Sequence, residues 1–509
     1  MRHGRLVPHA VLGACALLVV AFPGPAAGWL RAAADAFLLR FGQPVLWGAT
    51  GCVLLCAALA LGPAGARRVG GPDARPEFGT PTWLAMLFAA GMGAGLVFWG
   101  AAEPLIHAGA PPPGSEGDPV RGALAITQFH WSLHAWSVYA VAALAVAVRA
   151  RPGAVPLPST PFGALPRRAR RILDWAALGA VLFGVVASLG QGVFQMGAGL
   201  SVVTGGAAPD GRAVQLGLLA VLTLAYGASA ATGLRRGIAV LSVANVLLAL
   251  LLMAFVLAAG PTGAILRTLA ETTTAYLAEL PRLSVDLRPE GPARQWTRDW
   301  SLTYFLWWVA WTPFVGVFVA RISLGRTVRG FLAGVVLAPS LGTLAWFSVL
   351  GGAALAVPGG GEALGVTDFE TAPRATYALL GTLPLASVTQ ALTLLLVSLF
   401  LVTSADSGAY VLGLFSRGGE PGVAERLYWG AVLAALTGAA VWSAGGQSVT
   451  RAFAVTGAVP LCLLLAAQAA TLLRSFGPSG TAGRPRRLTD AEGARATDGA
   501  QAARRSAAR

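Results

Sequence analysis

The chain has no lysine among its 509 residues, and charged side chains of any kind make up only 12%. A soluble domain runs near a quarter charged, so a water-exposed globular surface of this size is excluded. Cysteine is also scarce. Cys15, Cys52, Cys56 and Cys462 all fall inside apolar runs, which counts against a disulfide framework or a thiolate metal site. No set of nucleophile, base and orienting group is visible, so nothing points to an enzyme.

What is present is apolar. Hydrophobic residues reach 55% and the mean hydropathy is +0.66. A spanning helix needs ~20 apolar residues, so there is room for roughly a dozen spans and little else. The net charge of +15 rests on arginine alone. Those arginines sit in short clusters between apolar runs, which is the pattern of cytoplasmic loops and not of nucleic-acid binding. A bilayer is therefore the first partner, and nucleic acid is not one.

Twelve apolar segments can be marked, near 8–24, 44–62, 82–108, 123–149, 173–203, 214–231, 237–259, 299–320, 329–357, 384–413, 424–443 and 452–473. Arg2 and Arg5 before the first run, with small residues at Ala26 and Gly28 after it, also fit a cleaved signal peptide. A first transmembrane helix is preferred because many spans follow and the charge alternation requires it. Every even-numbered exit is Arg-rich: Arg67, Arg68 and Arg75; Arg149, Arg151, Arg167, Arg168, Arg170 and Arg171; Arg235 and Arg236; Arg321, Arg326 and Arg329; Arg417 and Arg426; then Arg474, Arg484, Arg486 and Arg487. Linkers 109–121 and 204–213 are Gly/Pro-rich and nearly free of arginine. The positive-inside rule then puts both termini in the cytoplasm of a bacterial-type inner membrane.

The segment 262–298 mixes acidic and basic residues with apolar ones and reads as an amphipathic surface helix or as a solvated loop with one short helix. Residues 152–166 hold five prolines and suit a semi-rigid linker. No strong internal sequence repeat is visible. Two spans nevertheless carry interrupting features: Gly91-Met92-Gly93-Ala94-Gly95 in the third and Trp311-Thr312-Pro313 in the eighth. Glycine costs ~1 kcal/mol and proline ~3 kcal/mol in a helix interior. Paired interruptions of this kind are the sequence pointer to a transporter with inverted repeats.

Aromatics are concentrated in two spans. The fourth reads Phe129-His130-Trp131-Ser132-Leu133-His134-Ala135-Trp136-Ser137-Val138-Tyr139, and Trp136 and Tyr139 share a helix face. In one continuous helix, Trp131 would be turned away from Trp136 by ~140°. The eighth places Trp307, Trp311, Phe314 and Phe318 in one stripe, with Trp308 ~100° to its side. An interfacial belt is one reading. The stripe covers ~16 Å of helix, deeper than a belt. A cage for a quaternary ammonium is the other, since such a cation has no hydrogen to donate and aromatic faces attract it by ~0.5–2 kcal/mol each. Thr403-Ser404-Ala405-Asp406-Ser407 lies inside the tenth span, where hydroxyls can coordinate a small hard cation or bond between helices. Asp406 and Glu103 are ionisable groups in the membrane, each suited to function or to tying helices together. His107, His130 and His134 show no metal spacing with Glu or Cys and read as helix hydrogen-bonders.

Taken together, GMGAGLVFWGAAEPLIHAG (91–109), FHWSLHAWSVYA (129–140), WWVAWTPFVGVFVARISLGRTVRGFLAGVVLAPSL (307–341) and TSADSG (403–408) closely resemble the betaine/carnitine/choline transporter family. Order and spacing match over roughly residues 40–475. The resemblance implies an all-α integral membrane protein of about 12 helices with a leucine-transporter-like 5+5 inverted repeat, often a homotrimer. In that layout 1–80 holds two additional helices, 81–260 the first repeat, 261–298 a periplasmic amphipathic connector, 299–474 the second repeat and 475–509 a disordered cytoplasmic tail.

The resemblance also implies a site. Its substrate box falls on Trp131, Trp136, Tyr139 and Trp308, with Trp311 on the inward path. Gly91, Gly93 and Gly95 match an unwound stretch whose N–H groups meet a substrate carboxylate, and Met92 in that stretch counts with both substrate and ion. Gly95, where proton-coupled choline carriers often have Asp, leans towards a zwitterion and sodium. A family sodium site maps to Ala89, Met92, Phe400, Thr403 and Ser404. A second one uses threonines of span five, where this chain has Phe183-Gly184-Val185-Val186-Ala187-Ser188, and valine cannot replace a hydroxyl ligand. The function expected is uptake of a quaternary-ammonium osmolyte, glycine betaine first, coupled to Na⁺ and with no other cofactor. Cation-independent carnitine- or choline-type exchange, proton-coupled choline symport and a non-transporting membrane sensor or scaffold are the alternatives.

Overall fold

In hydrocarbon a backbone polar group finds no water, so apolar runs of this length close their hydrogen bonds inside helices. The computed structural model describes residues 3–91, 93–113, 117–150, 155–232, 235–288, 290–443 and 445–476; at 3–6, 88–91 and 235–240 it describes the backbone alone. Met92 and the tail from 477 onward lie outside the described residues.

The helices run in order α1 (His3–Ala21), α2 (Pro23–Leu61), α3 (Thr80–Gly91), α4 (Ala94–Gly109), α5 (Pro119–Trp131), α6 (Leu133–Arg149), α7 (Arg167–Val203), α8 (Arg212–Thr232), α9 (Arg235–Ala259) and α10 (Thr262–Val285). After these come α11 (Pro292–Thr297), α12 (Thr303–Ile322), α13 (Val328–Leu332), α14 (Ala338–Leu355), α15 (Gly360–Ala363), α16 (Ala375–Gly381), α17 (Ala386–Arg417), α18 (Val423–Trp442) and α19 (Gly446–Phe476). Wide π-turns at Arg298–Leu302 and Ala333–Leu337 join α11 to α12 and α13 to α14. Among the described residues there is no strand beyond one isolated bridge, Arg68 to Thr327. Nine helical stretches of the described residues are long and apolar enough to cross a membrane. The interrupted pair α3 and α4, at 12 and 16 residues, each fall short of that length.

Helix breaks only partly follow the sequence reading. The glycine stretch does interrupt its span: Gly93 is extended, at φ −109° and ψ −161°, between α3 and α4. The Trp-Thr-Pro stretch does not. Pro313 lies inside a continuous α12. Proline leaves the carbonyl four residues back without its donor, and here the Thr312 hydroxyl donates to that Val309 carbonyl at 2.7 Å. The break that composition did not announce is at Ser132, φ −106° and ψ −122°, between α5 and α6. Ser132 Oγ donates to Gln128 Oε1 at 2.7 Å and lies 3.2 Å from Thr343 Oγ1 of α14. The bond is between side chains, and the Ser132 N–H still donates to the Gln128 carbonyl at 2.9 Å. Residues 25–43, read as a linker, continue as helix within α2.

The core is helix against helix: α6 along α12, α7 along α17, and α4 along α14. Two of the Arg-rich linkers meet directly. Val69 N donates to Arg326 O at 2.9 Å, and Val328 N to Arg67 O at 2.9 Å. They therefore lie on one side, as the charge alternation requires. Arg326 also covers the Trp83 ring at 3.9 Å, while Trp83 Nε1 donates to Ser323 Oγ at 2.9 Å. That fixes α3, and with it the approach to the break at Gly93. The Trp83 ring fills the space in front of Gly334, where an added Cβ would meet it at 2.1 Å. Gly334→Ala is expected to cost about 1–3 kcal/mol by overpacking. Gly179→Ala, where a Cβ meets nothing within 4 Å, should leave stability unchanged or raise it. Thermal unfolding of the two purified variants checks this.

Candidate functional site

The two breaks bring distant aromatics to one place. Trp131 ends α5, Trp136 and Tyr139 lie on α6, and Trp308 lies on α12. The Trp308 centroid lies 5.3 Å from Trp131 at 90°, 5.2 Å from Tyr139 at 73° and 6.0 Å from Trp136 at 47°. Edge-to-face contacts of this kind are the favoured geometry. The kink at Ser132 overrides the angle expected for a continuous helix, so Trp131 reaches the same cluster as Tyr139. Trp131, Tyr139 and Trp308 line one cavity, together with Gly93, Ala94, Gly95 and Trp311. Trp136 braces Tyr139 from 5.8 Å. A Cβ on Gly95 would stand 3.5 Å from the Trp131 ring, which places the glycine break against the cage. Gly93 caps α4 without any side-chain bond. The first N–H groups of a helix have no intrahelical partner and suit an anion.

Behind the cage sits a buried polar cluster. Glu103 of α4 has no solvent exposure. Its Oε2 accepts from Trp131 Nε1 at 2.7 Å and from the Tyr304 hydroxyl at 2.6 Å. Its Oε1 lies 2.6 Å from His130 Nδ1 and 3.4 Å from His107 Nε2. His130 Nε2 in turn meets Ser301 Oγ of the π-turn at 2.8 Å, and the His130 carbonyl accepts from Trp308 Nε1 at 2.9 Å. The sequence reading saw no cluster here because 27 residues separate Glu103 from His130. Folded, Glu103, His107 and His130 bring ligand-type atoms within 4.8 Å of one another. Only His134 stays a plain hydrogen-bonder, with Thr50 Oγ1 and Ser284 Oγ each at 3.3 Å.

The cavity measures 1080 Å³, above the ~300–1,000 Å³ usual for small-molecule sites, so it holds a site and a passage. From the cage it runs past Trp311, Phe314 and Phe318 to Arg321, Tyr410, Glu420 and Arg426, beside the Arg-rich loops. On the other side Trp99, Trp300 and Phe369 close over Tyr304, with centroids 5.3–6.1 Å apart between Trp99 and Trp300, Tyr304 or Phe369, and between Trp300 and Phe369. Asp299 and Arg451 form an ion pair at 2.7 Å there. The sequence reading singled out neither Trp300 nor this pair.

Phe400, Thr403 and Ser404 of α17 line the cavity, and a Cβ on Gly93 would lie 4.0 Å from Ser404 Oγ. Thr403 donates to the Leu399 and Phe400 carbonyls at 3.0 Å, which leaves its oxygen lone pairs available. Of the expected ion set, Met92 lies outside the described residues and Ala89 is described by its backbone alone, as is Gly91 of the expected substrate set. Val185 lines the same cavity with Ser188.

A profile of the betaine/carnitine/choline family transporters matches residues 5–479. Among curated relatives, the glycine betaine transporter OpuD of Bacillus subtilis is 38% identical over 83% of this chain and 84% of its own length. A glycine betaine/proline/choline transporter of Vibrio parahaemolyticus is 33% identical over 88% of this chain and 84% of its own. Glycine betaine transporter 1 of the same organism is 36% identical over 83% of both chains.

Near the Arg-rich end, Asp406 of α17 accepts from Arg426 of α18 at 2.7 Å, and Tyr410 donates to Glu420 at 2.6 Å. Asp406 thus ties helices together. Asp406→Asn leaves a largely buried guanidinium without its counter-charge and is expected to cost about 1–3 kcal/mol. Denaturant unfolding should show that loss, and Arg426→Gln in the Asp406→Asn background should add less than it does alone.

Proposed function

The chain belongs to the betaine/carnitine/choline family of transporters, and we propose that it takes up glycine betaine with Na⁺ by alternating access. The observation that carries this reading is the convergence of Trp131, Tyr139 and Trp308 on one cavity wall beside the helix break at Gly93–Gly95. A trimethylammonium group offers only C–H to its surroundings, and three π-faces answer its positive charge. The carboxylate of the same solute is answered by the unclaimed N–H groups at the start of α4. One cation-binding pocket and one anion-binding cradle, a few ångströms apart, suit a short zwitterion.

Two features support alternating access. The cavity reaches the Arg-rich side, and the aromatic closure at Trp99, Trp300 and Phe369 seals the other. With those loops cytoplasmic by the positive-inside rule, this is an inward-open state. Two inverted halves of five spans each, α3 to α9 and α12 to α19, preceded by two additional helices, are the layout this mechanism uses. Homotrimeric assembly goes with that reading. Na⁺ would sit between the backbone near Gly93 and the Thr403 and Ser404 hydroxyls, hard oxygen donors of the right kind. The valines at 185 and 186 favour a single ion of this construction. At 100 mV that ion supplies ~2.3 kcal/mol of driving energy.

Uptake of labelled betaine into liposomes, with Na⁺ outside or replaced by K⁺, tests the coupling. Uptake should collapse without Na⁺; unchanged uptake would end the coupling claim, and uptake that requires preloaded solute would mean exchange. Trp308→Ala removes one face and is expected to weaken betaine binding by about 2- to 30-fold, the equivalent of ~0.5–2 kcal/mol. Equilibrium binding to the purified variant measures it.

A further inference from the structure

We propose that Glu103 is a specificity-determining residue that never touches the solute: its carboxylate, acting through the Trp131 ring, makes the cage prefer a positively charged headgroup over a neutral one of the same shape. The proposal rests on the betaine reading above and extends it from the rings to what lies behind them.

A fully buried carboxylate is expensive unless donors surround it. Glu103 has three at 2.6–2.7 Å: the Trp131 indole, the Tyr304 hydroxyl and His130 Nδ1. An indole N–H can only donate, and two donors share Oε2; we assign the ionised carboxylate, with the hydrogen of the Oε1 contact on His130 Nδ1. Its hydrogen-bond partners do not cancel that charge. With the hydrogen on Nδ1, His130 is neutral and its Nε2 accepts from Ser301 Oγ at 2.8 Å; the tautomer is assigned from the network. Among the described residues Glu103 pairs with no arginine, only with His107 and His130. His107 Nε2 stands 3.4 Å away without a hydrogen bond of good geometry.

The negative charge therefore survives, one ring's width from the cage. It acts there in two ways. Through space, a fixed charge in a low-dielectric interior attracts the onium ion and needs no reorganisation when the ion arrives. Through the bond, a donor hydrogen-bonded to an anion is polarised, and the density pushed into the indole makes its face more negative. Direct contact would be worse, since a carboxylate gains no hydrogen bond from a methylated nitrogen. Setting the carboxylate behind an aromatic wall keeps both the charge and the apolar fit.

The alternative is that Glu103 merely holds Trp131 in place. Glycine betaine and 3,3-dimethylbutanoate separate the two, because they share shape and carboxylate and differ in replacing N⁺ by carbon. Glu103→Gln keeps the size, can still accept from Trp131 and Tyr304, and removes the charge. Binding of both solutes to purified wild type and variant, by equilibrium dialysis and by competition against labelled betaine, reads the difference. The variant should bind betaine about tenfold more weakly or worse and 3,3-dimethylbutanoate, whose headgroup is uncharged, within twofold of wild type. Equal losses for both, or no loss for either, would overturn the proposal. Should Glu103→Gln fail to fold, Tyr304→Phe serves: it deletes one donor and leaves the charge, so both affinities should fall together and the betaine-to-isostere ratio should hold. A collapse of that ratio would assign selectivity to ring geometry and overturn the proposal. Wild-type protein that binds no betaine at all would instead overturn the functional reading, and the proposal with it, before any ratio is compared.

Discussion

A carboxylate with no access to water, deep among apolar helices, is stable only if the chain brings donors to it from several directions. Glu103 collects them from α5, from α12 and, through His130, from the π-turn that leads into α12. Removing any of these elements would strand either the charge or one of its donors, so their relative placement is over-determined. The consequence for the site is direct. Trp131 is held by its N–H on Glu103, and Trp308 by its N–H on the carbonyl of the same His130. Two walls of the cage are thus hung from one buried network, and their angle of 90° follows from it.

The second constraint is where the backbone departs from the helix. Gly93 and Ser132 each end one helix and begin another within the apolar interior. Such departures are tolerated in a membrane protein only where protein or a cavity satisfies the freed groups. At Ser132 the side chain answers Gln128, and Thr343 lies in reach. At Gly93 no side chain caps the new helix, and that is the break facing the cavity. α6 likewise starts at Ser132 without a side-chain cap, so what separates the two breaks is that Gly93 lies in the cavity wall and Ser132 does not.

α12 carries this arrangement along its length. Tyr304, Trp308, Trp311, Phe314, Phe318 and Arg321 all line the cavity, from the closed side to the open one. Thr312 repairs the backbone at Pro313, so the helix stays a continuous rod. Asp299 pairs with Arg451 near the closed end, and Asp406 pairs with Arg426 in the wall of the open one.

The sequence by itself determined the class of the protein. Apolar run length, arginine alternation and the quoted stretches were enough for a helical membrane transporter of this family, because hydrocarbon thickness and charge asymmetry act on composition alone. Of the aromatics named from the sequence, Trp131, Tyr139, Trp308 and Trp311 line the cavity, while Trp136 stands against Tyr139 outside its lining. Tertiary structure decided the rest. A kink at Ser132, invisible to composition, turned Trp131 towards Tyr139. Pro313, a helix breaker by propensity, broke nothing because a neighbouring hydroxyl replaced its missing donor. Glu103, His130, Ser301 and Tyr304 became one network only when helices far apart in the chain packed together. Periodicity reports which face a residue occupies on its own helix; which charge lies behind that face depends on what another helix brings there.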